Sequence, residues 1–303
     1  MAAVRKRTLR GRTYYYLEHT VRVAGKVRKK ELYLGTRLPR DLEVRKRAFL
    51  AEVYRERWHP TLERIRESYA RDLRTTPPSG VERGREALAV RFTYNTQRIE
   101  GSTLTLRETA DLLERGITPA GRPLRDVQEA EAHRALFLDI LKERGDLTHP
   151  RILEWHHRLF RETRPDIAGR LRRHQVAISG SRFVPPSPIE VGPLLREFFR
   201  WYARSRDRTQ PVELAALVHL RFVTIHPFSD GNGRLARLLM NFVLHRHGFP
   251  MLVIPYTGRS LYYTALERAQ IQEMEAIFVQ WLLRAYVREH RRYGQSQSSR
   301  RSS

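Results

Sequence analysis

The sequence contains no cysteine. That excludes disulfides, thiol nucleophiles and cysteine-ligated zinc, and leaves the compartment open. Long apolar runs are missing too: none approaches the roughly 18 residues a membrane span needs. The basic N-terminus lacks the apolar stretch of a secretory signal. No membrane partner is expected, and a cytoplasmic location is the default. Lysine is scarce, yet the formal net charge is +24 because arginine is abundant. What is present suffices for a folded protein. Hydrophobic residues make up 41% and aromatics 10% of 303 residues, which supports a packed core and argues against global disorder.

The charge is uneven. Residues 1–75 hold 21 Lys and Arg against 9 Asp and Glu, a net of +12, so a quarter of the chain carries half of the charge. A uniform arginine bias would spread it. Local concentration points to nucleic acid as a partner for residues 1–75, or to an accessory extension whose charge is simply solvated. Residues 12–35 are rich in Tyr, Val and Leu around Ala24, Gly25 and Lys26, and predict two β-strands joined by a turn. Residues 41–74 read as helical with Asp41 as N-cap, divided in two at Pro60. The stretch "TTPPSG", residues 75–80, marks a domain boundary.

Helical patterning dominates beyond it. One helix is expected to end at Gly101, and the next to start at a capping box formed by Thr105 and Glu108. Others are expected over 126–144 and after Thr148. Residues 169–188 interrupt the run, and Val176, Ile178 and Phe183 around Ser-Gly-Ser predict a small β-hairpin. Helices resume near 191 and at 211–225. The division is therefore 1–75, a small accessory domain of β-hairpin plus helices; 76–286, a helical domain; and 287–303, a basic tail expected to be disordered.

Residues 226–237, "HPFSDGNGRLAR", concentrate chemistry. Leu235, Leu238, Leu239, Phe242 and Val243 recur at helical spacing and form a buried stripe. Arg234, Arg237 and Asn241 share a different, polar face. The Gly231-Asn232-Gly233 turn thus opens a helix whose first turns carry two arginines. A helix N-terminus offers free N–H groups and a positive dipole end to an anion, glycine allows close approach, and arginine adds bidentate hydrogen bonds. Asp230 suits Mg²⁺ accompanying phosphates. His226 can take a proton from a hydroxyl nucleophile. Phe228 would anchor the loop. Each feature alone is commonplace; their order together is not.

This stretch resembles the signature of the Fic family, His-x-Phe-x-(Asp/Glu)-Gly-Asn-Gly-Arg-x-x-Arg, with every specified position filled. The resemblance covers residues 82–286. Within it, "VAISGSRFVPPSP" looks like the family's flap hairpin, and "SLYYTALERA" is similar to the segment that closes over the nucleotide base. It implies a mainly α fold, a helical bundle with a small β-hairpin flap. It also implies transfer of AMP from ATP to a Ser, Thr or Tyr hydroxyl of a protein. By position, His226 would be the base, Asp230 the Mg²⁺ ligand, and Gly231, Asn232 and Gly233 the anion hole, with Asn232 on the phosphates. Arg234 and Arg237 would hold the β and γ phosphates, and Tyr262 or Tyr263 would lie near the adenine. Some relatives use other phosphate donors, and one branch phosphorylates its target; Gly233 disfavours that branch. "TQRIEG", residues 96–101, fits the family's inhibitory pattern, which makes Glu100 an inhibitory residue that pairs with Arg237. Two rivals stand beside this reading: a nucleic-acid-associated regulator using the domain as a nucleotide sensor, and an enzyme that also removes AMP with Glu100 positioning water. The intact His226 and Asp230 favour an enzyme. Oligomerisation is left open.

Overall fold

The computed structural model describes residues 2–23 and 26–294. The chain forms two compact units, Met1–Arg64 and Ile65–Ser303, so the division falls within a helix rather than at residues 75–80.

The first unit contains β1 (Ala3–Leu9), β2 (Arg12–Val23) and β3 (Lys26–Gly35), an antiparallel sheet in the order β1-β2-β3. β2 and β3 are the expected pair; the Ala24-Gly25 turn lies outside the described residues. β1 was not expected, because all seven of its residues are exposed and it shows no apolar alternation. Alternate residues of β2 explain the sheet's one-sided core: Leu17 and Val21 point inward to join Ala2, Leu34, Phe49 and Val53. On the outward face Glu18 stands opposite Glu31 across the β2–β3 ladder. Facing carboxylates repel. Arg7 bridges both, and Lys29 lies 2.9 Å from each.

Phe49 and Val53 come from α1 (Leu42–Thr75), which runs unbroken through Pro60 for 34 residues. Two helices were expected there. A proline removes one N–H and crowds the preceding turn, but burial of Trp58 and Leu62 on either side keeps the helix continuous.

The second unit is helical: α2 (Pro78–Ile99), α3 (Leu106–Arg115), α4 (Leu124–Ile140), α5 (His149–Phe160), α6 (Pro188–Ser205), α7 (Pro211–Ile225), α8 (Asn232–Arg246), α9 (Arg259–Ile271), α10 (Glu275–Glu289) and the short α11 (Arg291–Gly294). The expected local signals hold. Gly101 follows the end of α2 at φ 98°, and Thr105 and Glu108 form a reciprocal capping box at α3. Pro150 sits in the first turn of α5. Two expectations change. Residues 287–289 and 291–294 are helical, with Tyr293 buried and its hydroxyl 2.6 Å from Asp72; the rest of the tail lies outside the described residues. The flap has a hairpin's shape without its ladder: two extended arms meet at a turn closed by Ser181 N–H on the Ile178 carbonyl, and no strand is assigned to residues 169–187. Pro185 and Pro186 lack N–H groups, so side chains replace the ladder. Gln175 donates to the Pro185 carbonyl (2.9 Å) and Arg172 to that of Pro186 (2.6 Å).

Candidate active site

α7, α8 and the six residues between them build the site. α7 ends because His226 adopts a left-handed conformation, φ 50° and ψ 59°, a backbone state costly for a non-glycine residue. Gly231, at φ 77°, opens α8. A Cβ there would lie 2.4 Å from the Phe160 ring, so only glycine fits. Phe228 is fully buried and stacks on His156 with ring centroids 3.7 Å apart. His156 also holds the loop by its edges: Nδ1 accepts the Gly169 N–H at 3.0 Å, which leaves Nε2 to donate to the Asp230 carbonyl at 3.1 Å. Burial holds this histidine far below its usual range, at about 4, so the ring is neutral.

The His226 Nδ1 lies 3.1 Å from the Val223 carbonyl. A carbonyl only accepts, so Nδ1 carries the proton and the neutral ring keeps its lone pair on Nε2. Burial lowers the pKa of His226; the Val223 bond opposes this and the Arg172 charge adds to it. The net fall favours the neutral, proton-accepting form at pH 7.

Asp230 meets four donors. Its Oδ1 accepts the Gly231 N–H at 2.6 Å and lies 3.3 Å from Arg234; its Oδ2 lies 2.8 Å from Arg164 and 3.5 Å from Arg125. Burial would raise its pKa, but Arg234, the Gly231 N–H, Arg164 and Arg125 outweigh burial and hold it down. Among the described residues no group of three or more His, Cys, Asp or Glu converges to hold a metal. One ionised carboxylate fits Mg²⁺ that arrives already bound to phosphates, since that ion needs only one or two protein carboxylates.

The polar face of α8 is not solvated. Arg234, Arg237 and Asn241 are all buried. Arg234 pairs with Glu129 of α4, also buried, and stacks over the Phe160 ring. Arg237 donates to Glu100 at 2.5 Å, to the Thr96 carbonyl at 3.3 Å and to the Tyr262 hydroxyl at 3.3 Å. Burial would lower the pKa of Arg237, but Glu100 outweighs it and raises it. Gly233 makes room for this pair: a Cβ there would sit 2.5 Å from Glu100 Oε1. Glu100, Ser102, Arg125, Glu129, Asp230 and Arg234 line a cavity of about 140 Å³.

The structure thus gathers His226, Asp230, Gly231, Asn232, Gly233, Arg234, Arg237 and Glu100 in and around one helix-opening turn. Two side chains sit differently from expectation. The Asn232 amide accepts the Phe228 N–H (2.9 Å) and donates to the Phe228 carbonyl (2.8 Å), so it staples the loop and any anion contact falls to its backbone N–H. Tyr262 is 1% exposed, with its hydroxyl between Arg237 and His219, so it supports the arginine and presents no face to a base. Burial pushes its hydroxyl up to about 12, so it stays protonated. Tyr263 is the half-exposed neighbour; its hydroxyl donates to the Ile99 carbonyl, one residue before Glu100. Sequence reasoning missed Arg125, Glu129, His156, Arg164 and Arg172. Each lies at least 54 residues from its partner in the motif, and no local pattern marks any of them.

Residues 146–244 match the Fic/DOC family. Protein adenylyltransferase fic-1 of Caenorhabditis elegans is 36% identical over 208 residues, 67% of this chain and 40% of that protein. Protein adenylyltransferase Fic of Drosophila melanogaster is 38% identical over 185 residues, 58% of this chain and 36% of that one. The chain thus spans well under half the length of these curated relatives. Among solved structures, a Fic-domain-containing signaling protein from Bacteroides thetaiotaomicron superposes with a TM-score of 0.70 at 30% identity, covering 77% of this chain and 95% of the other. A fragment of Fic-1 from C. elegans gives 0.67 at 29% identity, covering 83% and 74%.

Proposed function

The chain belongs to the Fic/DOC family, and from that footing we propose that it transfers AMP from ATP to a Ser, Thr or Tyr hydroxyl of a protein target. The observation that carries this reading is the tautomer of His226. Its Nδ1 is held by the Val223 carbonyl, which leaves Nε2 as a neutral base beside the N-terminus of α8. The target hydroxyl oxygen would bond to the α-phosphorus while Nε2 takes its proton and pyrophosphate leaves. The N–H groups at the start of α8 and Arg234 and Arg237 are suited to the phosphate oxygens. Mg²⁺ on Asp230 would neutralise phosphate charge. Glu100 acts as an inhibitor in this reading, because it holds the guanidinium of Arg237 that a phosphate would otherwise take.

The test uses ATP labelled at the α-phosphate and, separately, at the γ-phosphate, with intact-mass measurement. The expected result is a gain of one AMP carrying only the α label. Retention of the γ label would overturn the reading. His226→Ala should reduce transfer by about 10²- to 10⁴-fold, the range for a positioned general base, with ATP binding retained. Unchanged transfer would remove His226 from the mechanism.

For the first unit we propose phosphate-backbone binding to nucleic acid. It carries 18 Lys and Arg against 7 Asp and Glu over residues 1–64. Arg10, Gly11 and Arg12 form the exposed tip between β1 and β2, where Arg10 and Gly11 both have positive φ. Binding that is insensitive to added salt, or that survives deletion of residues 1–64, would reject this.

A further inference from the structure

Arg172 is a buried arginine with no carboxylate partner among the described residues, 3% exposed, at the base of the flap. Burying a guanidinium without a counter-ion is costly, so its hydrogen bonds must compensate. All of them end on carbonyls. Nε donates to His226 (2.7 Å), one terminal nitrogen to His174 (3.2 Å) and the other to Pro186 (2.6 Å). Its own backbone N–H donates to the Pro227 carbonyl at 3.0 Å. One residue therefore grips both arms of the flap and two consecutive carbonyls of the catalytic loop. The gripped His226 is the residue in the left-handed conformation, so its carbonyl direction is set against backbone preference. The flap is clasped independently at its tip, where Glu267 of α9 accepts the Arg182 N–H at 2.6 Å.

We propose that Arg172 is a positioning residue that locks the flap base to the strained backbone of His226, so that flap order and base orientation form one unit. The proposal rests on the transfer reading only for its kinetic consequence. Arg172 touches no reacting atom. It fixes the His226 carbonyl and hence the ring's bearing toward the α8 N-terminus. It also charges the loop base, in keeping with its share in the lowered pKa of His226. A lysine at 172 keeps the charge but has one donor atom where arginine has three, and it cannot span carbonyls on both flap arms and the loop.

The experiment compares Arg172→Met, Arg172→Lys and Glu267→Gln, in the full chain carrying Glu100→Gly to relieve inhibition. Self-modification is measured with α-labelled ATP, and amide hydrogen exchange is followed in parallel. A misplacement of about 1 Å at a reacting group costs on the order of 10²-fold. Arg172→Met should therefore lower the saturating rate by about that factor with KM for ATP within about twofold. Arg172→Lys should recover only part of the loss. In exchange, Arg172→Met should lose protection at residues 172–176 and 226–231 together, whereas Glu267→Gln should lose it only at 178–183. A saturating rate within about threefold of the parent, or exchange in the flap that rises without any rise at 226–231, overturns the proposal. If the parent itself transfers no AMP, the transfer reading fails, and the exchange data still decide the coupling. If Arg172→Met fails to fold, Arg172→Lys carries the test: full recovery of rate and protection by lysine would reduce Arg172 to a buried charge.

Discussion

Arginine–carboxylate pairs occur in both units, and the two settings differ. On the sheet of the first unit, Arg7 and Lys29 bridge Glu18 and Glu31 in contact with water. Around α8, Arg234 meets Glu129 and Arg237 meets Glu100 where the arginines are at most 3% exposed. In water, solvent stands in for a lost partner and the pair contributes little to stability. In the interior nothing stands in, so loss of one partner leaves an uncompensated charge. The first unit's pairs settle which side chains lie across the sheet. Those around α8 determine whether two guanidinium groups exist in a usable form.

Glu129→Ala should have the largest effect on stability. It leaves Arg234 beside Phe160 with Asp230 at 3.3 Å and the Gln97 side chain at 3.4 Å, and removing one partner of a buried pair costs about 3–5 kcal/mol. Chemical denaturation should show that loss for Glu129→Ala and no measurable shift of the midpoint for Arg7→Ala. Equal effects in the two variants would erase the distinction between the settings.

Next comes Glu100→Gly. Glu100 is a quarter exposed while Arg237 is buried, so the carboxylate can depart into solvent and leave the arginine held by Thr96 and Tyr262. Because phosphoryl chemistry depends chiefly on positioning, self-modification should rise by up to about 10²-fold. Arg237→Ala in the same background should abolish the gain. If the Glu100 variant is no faster than the parent, Glu100 is an ordinary helix end.

Two kinds of information made the molecule legible to different degrees. The site's chain-local part was readable, since His226 to Arg237 are contiguous and a turn followed by a helix brings them together without any knowledge of the fold. The buried stripe was readable for the same reason: Leu235, Leu238, Leu239, Phe242 and Val243 are each no more than 1% exposed. Glu129 and Arg164 were not readable, because a carboxylate on α4 and an arginine after α5 gain their meaning only when those helices pack beside α8. Pro60 and β1 failed for a different reason. Local rules break a helix at proline and require alternation in a strand, but buried neighbours kept the helix whole, and pairing with β2 made a strand of a fully exposed segment. Asn232 had the right position and the wrong partner, since spacing cannot tell a phosphate from the Phe228 backbone.

Acidification should also separate the units. Burial holds His133 and His219 at about 3 and His156 at about 4, and all three lie in the second unit. Their folded pKa values are below the ordinary 6.5, so the unfolded chain binds protons that the folded one refuses. Stability is full above pH 6.5 and falls as pH drops toward 4 and then 3, by about 1.4 kcal/mol per pH unit for each histidine. In the first unit Glu31 is held at about 2, chiefly by Arg7 and Lys29, so its contribution is full above about pH 4.5 and declines only as the pH falls from there toward 2. Hydrogen exchange from pH 6.5 to 4.5 should therefore show the second unit losing protection and the sheet around Glu31 keeping it. Loss of protection confined to the sheet would contradict this assignment.

The smallest expected effect repeats the Glu100 experiment at the surface. Glu18 and Glu31 hold Arg7 and Lys29, and Glu18 also holds Arg5, as Glu100 holds Arg237, so Glu18→Gln with Glu31→Gln should release three cations on the open face of the sheet. Being exposed, the freed groups are solvated either way, and the thermal midpoint should not move. Phosphate binding should change instead. Each further phosphate neutralised steepens the slope of log affinity against log salt by about 0.9 for duplex DNA. Three released cations would therefore steepen it by up to about 2.7 and raise affinity most at low salt. In the interior, removing a carboxylate changes what an arginine can do and how well the chain folds; at the surface it should change only the first. A double variant whose salt slope matches the parent's would show that the sheet face does not meet the phosphates, and would leave the Arg10–Arg12 tip as the part of the first unit to test.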